Sequence, residues 1–179
     1  MAADLPVALP ARLAERARRV GAGESTTGEV VLYWMRSALR AHDNPALDAA
    51  ALAAAELDRP LFVYQGLTDR YPFASDRHHT FILEGAREVE RELAERGGGS
   101  AFHLVCSGRG GRPVLKELAG RAALVVTEDV PVAPLPAWTR ALARAVAAPV
   151  LAVDAACVVP MALSRAAPER AFRFREEHA

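Results

Sequence analysis

The sequence has no excess charge of either sign. Its 22 basic residues balance 22 acidic ones, so no global field draws in a phosphate backbone, and no long stretch is basic enough to grip DNA unaided. Cysteine is scarce. Cys106 and Cys157 are the only two; both sit in apolar runs without CxxC or metal-ligand spacing, and they read as buried inert thiols. No apolar run approaches the roughly 20 residues that span a bilayer, and no secretory apolar leader opens the chain. The expected compartment is therefore the cytoplasm, with no membrane partner.

Familiar catalytic and nucleotide signatures are missing too. No G-x-G-x-x-G follows the first apolar run and no G-x-x-x-x-G-K-[ST] occurs anywhere, which excludes the dinucleotide fingerprint there and the P-loop. No G-x-S-x-G elbow is present. "SGRGGR" at 107–112 is glycine-rich and precedes a helix, so it reads as a tight turn or a phosphate nest. His78 and His79 stand side by side in a first helical turn and point roughly 100° apart, poor geometry for one metal. They read as surface or interface histidines, and His103 as a hydrogen-bonded strand residue. No catalytic and no metal-ligating set emerges.

What is present is a regular alternation. The 179 residues suit one domain with a real core. "LPARLAERARRVGAG" places Leu9, Leu13, Ala17 and Val20 on one helical face, which predicts a short amphipathic helix. Gly21 to Glu29 reads as a linker, giving an N-terminal segment 1–29 ahead of a compact domain. Apolar runs at 30–35, 61–66, 101–107, 122–127 and 149–154 are continuous, as strands covered on both faces should be. Between them, Ile82, Ala86, Val89 and Leu93 share a helical face in 77–96, as do Leu135, Trp138, Leu142 and Val146 in 134–147. Gly97-Gly98-Gly99 stops the first of these helices. Strand–helix alternation predicts right-handed crossovers and an α/β fold. The expected architecture is a doubly wound, five-stranded parallel sheet, Rossmann-like, with helices on both faces and 30–35 in the middle. Its ligand crevice should lie beyond the carboxyl ends of the strands, where strand order reverses.

The stretch "VVLYWMRSALRAHDNPALDAA" at 30–50 leads into that crevice. Asp43 or Asn44 can cap the alanine-rich helix that follows, and Pro45 suits its first turn. Arg36 and Arg40 flank the crevice, free to pair with Asp43 or with an anionic ligand.

The same stretch resembles the opening of the DNA photolyase and cryptochrome family: an apolar strand with an aromatic pair, an arginine, then "LR-x-x-DN-x-AL". With "VYQGLTDRYPFASDRHHTFILEGAREVERELAERG" at 63–97, it is most similar to the class II cyclobutane pyrimidine dimer photolyases. "ALVVTED" at 123–129, the helix bearing Trp138, "PVLAVD" and "VVP" at 158–160 continue the likeness in order. The resemblance implies an N-terminal five-stranded α/β domain over 30–160 that carries, in many members, an antenna chromophore: a deazaflavin, a folate or a flavin mononucleotide (FMN). It implies that 161–179 begin a linker to a helical domain that holds FAD, contacts DNA and splits the dimer. That domain would be absent from these residues or a separate partner, so the chain alone is expected to be inactive in repair, and DNA would be met only through it. For the antenna site the resemblance and the crevice point to Met35, Arg36 and Ser37 after the first strand, Gly66 after the second, and Glu128 and Asp129 after the fourth. The arginine would meet ligand oxygens, the carboxylates would accept from ring or chain donors, and the glycine would allow close approach. Two alternatives compete: a chromophore-free structural or interaction domain, and a generic nucleotide-binding α/β domain using 107–112.

Overall fold

A computed structural model describes residues 5–71, 74–105, 113–164 and 170–178. Its centre is a twisted sheet built from β1 (Ala17–Val20), β2 (Val30–Met35), β3 (Leu61–Thr68), β4 (Gly99–Val105), β5 (Ala122–Glu128) and β6 (Val150–Val153). The order across the sheet is β1-β6-β5-β2-β3-β4. β2 is central, paired in parallel with β3 on one side and β5 on the other. β3 pairs in parallel with β4, and β5 with β6. Each parallel crossover carries a helix: α2 (Pro45–Glu56), α3 (Asp76–Glu95), α4 (Val114–Gly120) and α5 (Leu135–Ala145).

The sheet departs from the expected one in two linked respects. It has six strands, and the additional one, β1, runs antiparallel. The amphipathic helix expected over the N-terminal segment shrinks to one turn, α1 (Ala11–Ala14), and Ala17–Val20 instead pairs with β6. The reason is non-local. Without β1, β6 would be a bare sheet edge with unpaired backbone groups. The spacing that suits one face of a helix also lets Ala17 and Val20 point inward from a short strand, where both are buried. Residues 17–20 therefore belong to the sheet.

Side chains alternate between its two faces. Val31, Tyr33, Met35, Val63, Leu124 and Val126 join one core cluster beneath α1, α2 and α3. Leu32, Trp34, Tyr64, Val125, Val150 and Ala152 join the other, beneath α4 and α5. α2 begins on Asn44, whose side-chain oxygen accepts from the Ala46 and Leu47 amides at 3.1 and 3.2 Å. Asn44, not Asp43, is thus the cap; Asp43 takes the left-handed backbone, with φ 46°. α3 starts on Ser75 and ends at Gly97, whose φ of 74° favours glycine. After β6 come a 3₁₀ turn (Met161–Leu163) and α6 (Ala171–His178).

Candidate functional site

Strand order reverses between β2 and β5, so the ligand crevice of such a sheet should open there. Protein groups occupy it. Glu128, at the end of β5, is 1% exposed, and its carboxylate accepts from the Tyr33 hydroxyl at 2.7 Å and from the Arg36 amide at 3.0 and 3.1 Å. The Arg36 guanidinium turns back over β2. It donates to the carbonyls of Glu128 and of Leu135 at the start of α5, with its Nε 3.6 Å from Glu128 Oε2. Its Cζ lies 4.4 Å from the Trp34 ring centroid, a cation–π stack. Asn44 closes the group by donating to the Tyr33 hydroxyl and to the carbonyls of Ala38 and Arg40.

Burial sets the electrostatics of this cluster. Desolvation, and then the neighbouring Glu128 carboxylate, push the Tyr33 phenol well above its ordinary pKa. Desolvation also lowers the Arg36 pKa from its ordinary value, while Glu128 pulls it back up. Beside the cluster remains a cavity of about 80 Å³ bordered by Ser37, Arg40, Glu128 and Ala155. That space holds a few waters, not an aromatic ring system.

A larger recess opens on the α4/α5 face. It has a volume of about 440 Å³. Trp34, Tyr64 and His103 form its floor, with Leu115 and Lys116 of α4 on one wall and Trp138 of α5 on the other. On α5, Trp138, Ala141, Leu142 and Ala145 follow one another at helical spacing and present a continuous apolar wall. Both tryptophans of the chain line this trough. Trp138 keeps 42% of its surface exposed, although its spacing predicts a core position. The helix wall and the sheet floor do not close over it.

Residues 31–174 match the family model for DNA photolyase. The chain belongs to the DNA photolyase family. A deoxyribodipyrimidine photo-lyase from Methanothermobacter thermautotrophicus is 36% identical over 149 residues, a match covering 83% of this chain and 33% of that protein. The chain thus spans about one third of the curated relative it matches. Solved structures give fainter likenesses. A universal stress protein in complex with cAMP is 20% identical with a TM-score of 0.41, over 72% of this chain and 99% of that one. A universal stress family protein from Burkholderia pseudomallei is 22% identical with a TM-score of 0.41, over 68% of this chain and 94% of the other. Neither bears on ligand or activity here.

Within this photolyase-family domain, the structure unites some of the sequence-derived site residues and separates others. Arg36 and Glu128 meet, and Ser37 borders the small cavity beside them. Arg36 is no exposed loop residue: its side chain is 6% exposed and Glu128's 1%. Met35 points into the α2 side of the core at 1% exposure, on the opposite face from the trough. Asp129 is held by Arg18 in a two-pronged pair at 2.6 and 2.7 Å. Gly66 lies on the trough face, in register with His103. Arg40 donates to the carbonyls of Asp43 and Ala155, and so ties the loop to the end of β6. His79 accepts from or donates to the Tyr71 hydroxyl at 2.8 Å, and His78 is exposed. No group of three metal-ligating side chains occurs among the described residues. No described helix is long and apolar enough to cross a membrane. Cys157 proves half-buried in the turn after β6, not sunk in an apolar run; burial raises its thiol pKa, aided by Asp154. Cys106 and the 107–112 turn lie outside the described residues.

Sequence reasoning missed Tyr33 as a partner of Glu128, Asn44 as a partner of Tyr33, and the trough entirely. One signal was available. Trp34, Tyr64 and His103 fall on the same strand face by alternation, which gathers three ring systems from three neighbouring strands on one side of the sheet.

Proposed function

We propose that this domain is the antenna module of a class II-type photolyase, holding a planar chromophore in the α4/α5 trough. The observation that carries this reading is the trough itself. Its volume of about 440 Å³ falls within the roughly 300–1,000 Å³ of small-molecule sites, and its lining is mainly apolar with a few convergent polar groups. A chromophore bound there would absorb near-ultraviolet or blue light and pass the excitation on. The chain's own residues supply rigidity and dryness: a hydrogen-bonded sheet as floor, and Arg36 tying β2 to β5 and the start of α5. Arg36, held by Glu128, stacks on Trp34 and so steadies the trough floor, Met35 packs on the far side of the sheet, and Gly66 lies on the trough face in register with His103; Ser37 borders the separate small cavity, and Asp129 pairs with Arg18. The occupant would be a deazaflavin, a folate or FMN. A helical FAD domain, in the same polypeptide or separate, would receive the excitation in the cytoplasm and make the DNA contacts.

Both tryptophans report the site, so the test is direct. Titration with FMN, a deazaflavin and a methenylated folate should quench tryptophan fluorescence saturably for at least one of them. Ala141→Phe, which fills the trough from α5, should weaken that ligand by tenfold or more. Absence of quenching by all three, or unchanged affinity in the variant, would sink the reading. Blue-light repair of pyrimidine dimers by these 179 residues alone would overturn the assignment of catalysis to another domain.

A further inference from the structure

We infer that Tyr64 and His103 read the polar edge of the trough's occupant, and that with Lys116 they select a planar heteroaromatic presenting carbonyl or anionic oxygens toward β4. This rests on the trough being the ligand site. Three observations carry it. First, the polar side-chain groups on the lining all carry a donor: a phenol, an imidazole, an ammonium group and two indole N–H groups, with no carboxylate among the described lining residues. Such a wall suits acceptors and anions and leaves a cationic ring without a counter-charge. Second, the groups are only partly used. The Tyr64 hydroxyl and His103 Nδ1 are 3.3 Å apart, and their rings lie 6.5 Å apart with a 40° tilt. Among the described residues His103 Nε2 and the Lys116 ammonium have no hydrogen-bond partner. With Tyr64 donating to Nδ1, the imidazole keeps its proton on Nε2 and can offer it to a ligand. Burial raises the Tyr64 pKa, which keeps the phenol protonated and able to take part in the chain.

The third observation explains a glycine. Gly66 pairs with His103 in the ladder, on the trough side of β3. A Cβ placed there would come 3.0 Å from the Tyr64 oxygen and 3.3 Å from its ring. A side chain at this position would press on the hydroxyl that orients His103 and would narrow the floor beside it. Glycine keeps the Tyr64–His103 pair clear.

The test uses two planar tricyclic probes of opposite edge chemistry. Riboflavin presents two ring carbonyls; proflavine is a cation whose edge bears amino donors. Riboflavin should quench the trough tryptophans at concentrations at least about tenfold lower than proflavine. Tyr64→Phe and His103→Leu should each weaken riboflavin by about threefold to tenfold, the loss of one buried hydrogen bond. Both should leave proflavine unchanged, and Gly66→Ala should mimic the milder of the two. If riboflavin binds, and Ala141→Phe abolishes binding while Tyr64→Phe and His103→Leu do not affect it, the trough is the site and the edge assignment is wrong. Equal affinity for the two probes also overturns the assignment. Failure of both probes to bind overturns it together with the reading beneath it.

Discussion

The two faces of the sheet share the same strands and end in different surfaces. Under α2 the face is sealed. Ala46, Ala49, Ala50 and Ala53 have no exposed surface, because side chains of one carbon let the helix axis settle close onto Val31, Tyr33, Leu124 and Val126. Under α4 and α5 the face stays open. α4 is only seven residues long, α5 brings a tryptophan where α2 brings alanines, and the space between them remains as the trough. One helix of small residues makes a wall; a seven-residue helix beside one that carries a tryptophan leaves a recess. The first face is packed shut and the second keeps open space, and single substitutions should separate the two.

The largest effect is expected where the faces meet at the carboxyl end of β5. Glu128→Ala leaves buried Arg36 without its carboxylate and takes away the acceptor of the Tyr33 hydroxyl. Loss of a buried partner of this kind costs about 3–5 kcal/mol, read as a lowered urea midpoint. Arg36→Ala should cost nearly as much, so its effect on ligand affinity has to be compared on protein shown to be folded.

Overpacking distinguishes the faces next. Ala50→Leu on α2 should destabilise by about 1–3 kcal/mol, since nothing there can yield. The same change at Ala141 on α5 enters open space and should stay within about 0.5 kcal/mol. Equal costs at the two positions would erase the contrast between wall and recess. Asn44→Ala removes the α2 cap and its bonds to the 38–40 loop and to Tyr33; about 1–2 kcal/mol is expected by thermal or chemical unfolding.

Titration sharpens the picture further. The Tyr33 pKa is raised in the folded protein, so folding holds this phenol's proton where the unfolded chain releases it. The contribution is whole below the unfolded tyrosine value of about 10 and declines as pH rises beyond it toward the folded pKa. Stability should therefore fall on the alkaline side, and Tyr33→Phe should flatten that fall relative to wild type. The smallest effect belongs to Arg18→Ala. Its pair with Asp129 is half in solvent, so the change should cost at most about 1 kcal/mol and leave riboflavin binding unaltered.

Much of this architecture is legible along the chain, for identifiable reasons. β2, β3, β5 and β6 appear as continuous apolar runs because both of their sides are covered, and Asn44-Pro45 marks a helix start through chemistry contained within three residues. β1 is hidden along the chain because Leu9, Leu13, Ala17 and Val20 fit a helical face, while the competing partner, β6, lies more than a hundred residues away in sequence. Arg36 stood out as a crevice residue by its position after the first strand. That its partner would be Glu128, 92 residues on, depended on β2 and β5 becoming neighbours. The trough left the faintest trace, because it is a space that two helices fail to fill.

The alternation of elements, the alanine-rich seat of α2, a helix start at Asp43-Asn44-Pro45 and the family likeness running through 31–174 are all written along the chain. These are local in origin: periodicity, side-chain size and short-range hydrogen bonds act within a few residues. Tertiary structure alone decided that β6 needs an antiparallel edge partner, that Arg36 and Glu128 close the switch point on each other, and that Trp34, Tyr64, His103 and Trp138 surround one recess. Such outcomes depend on which strands become neighbours and how closely each helix can approach the sheet, and those distances exist only once the chain has folded.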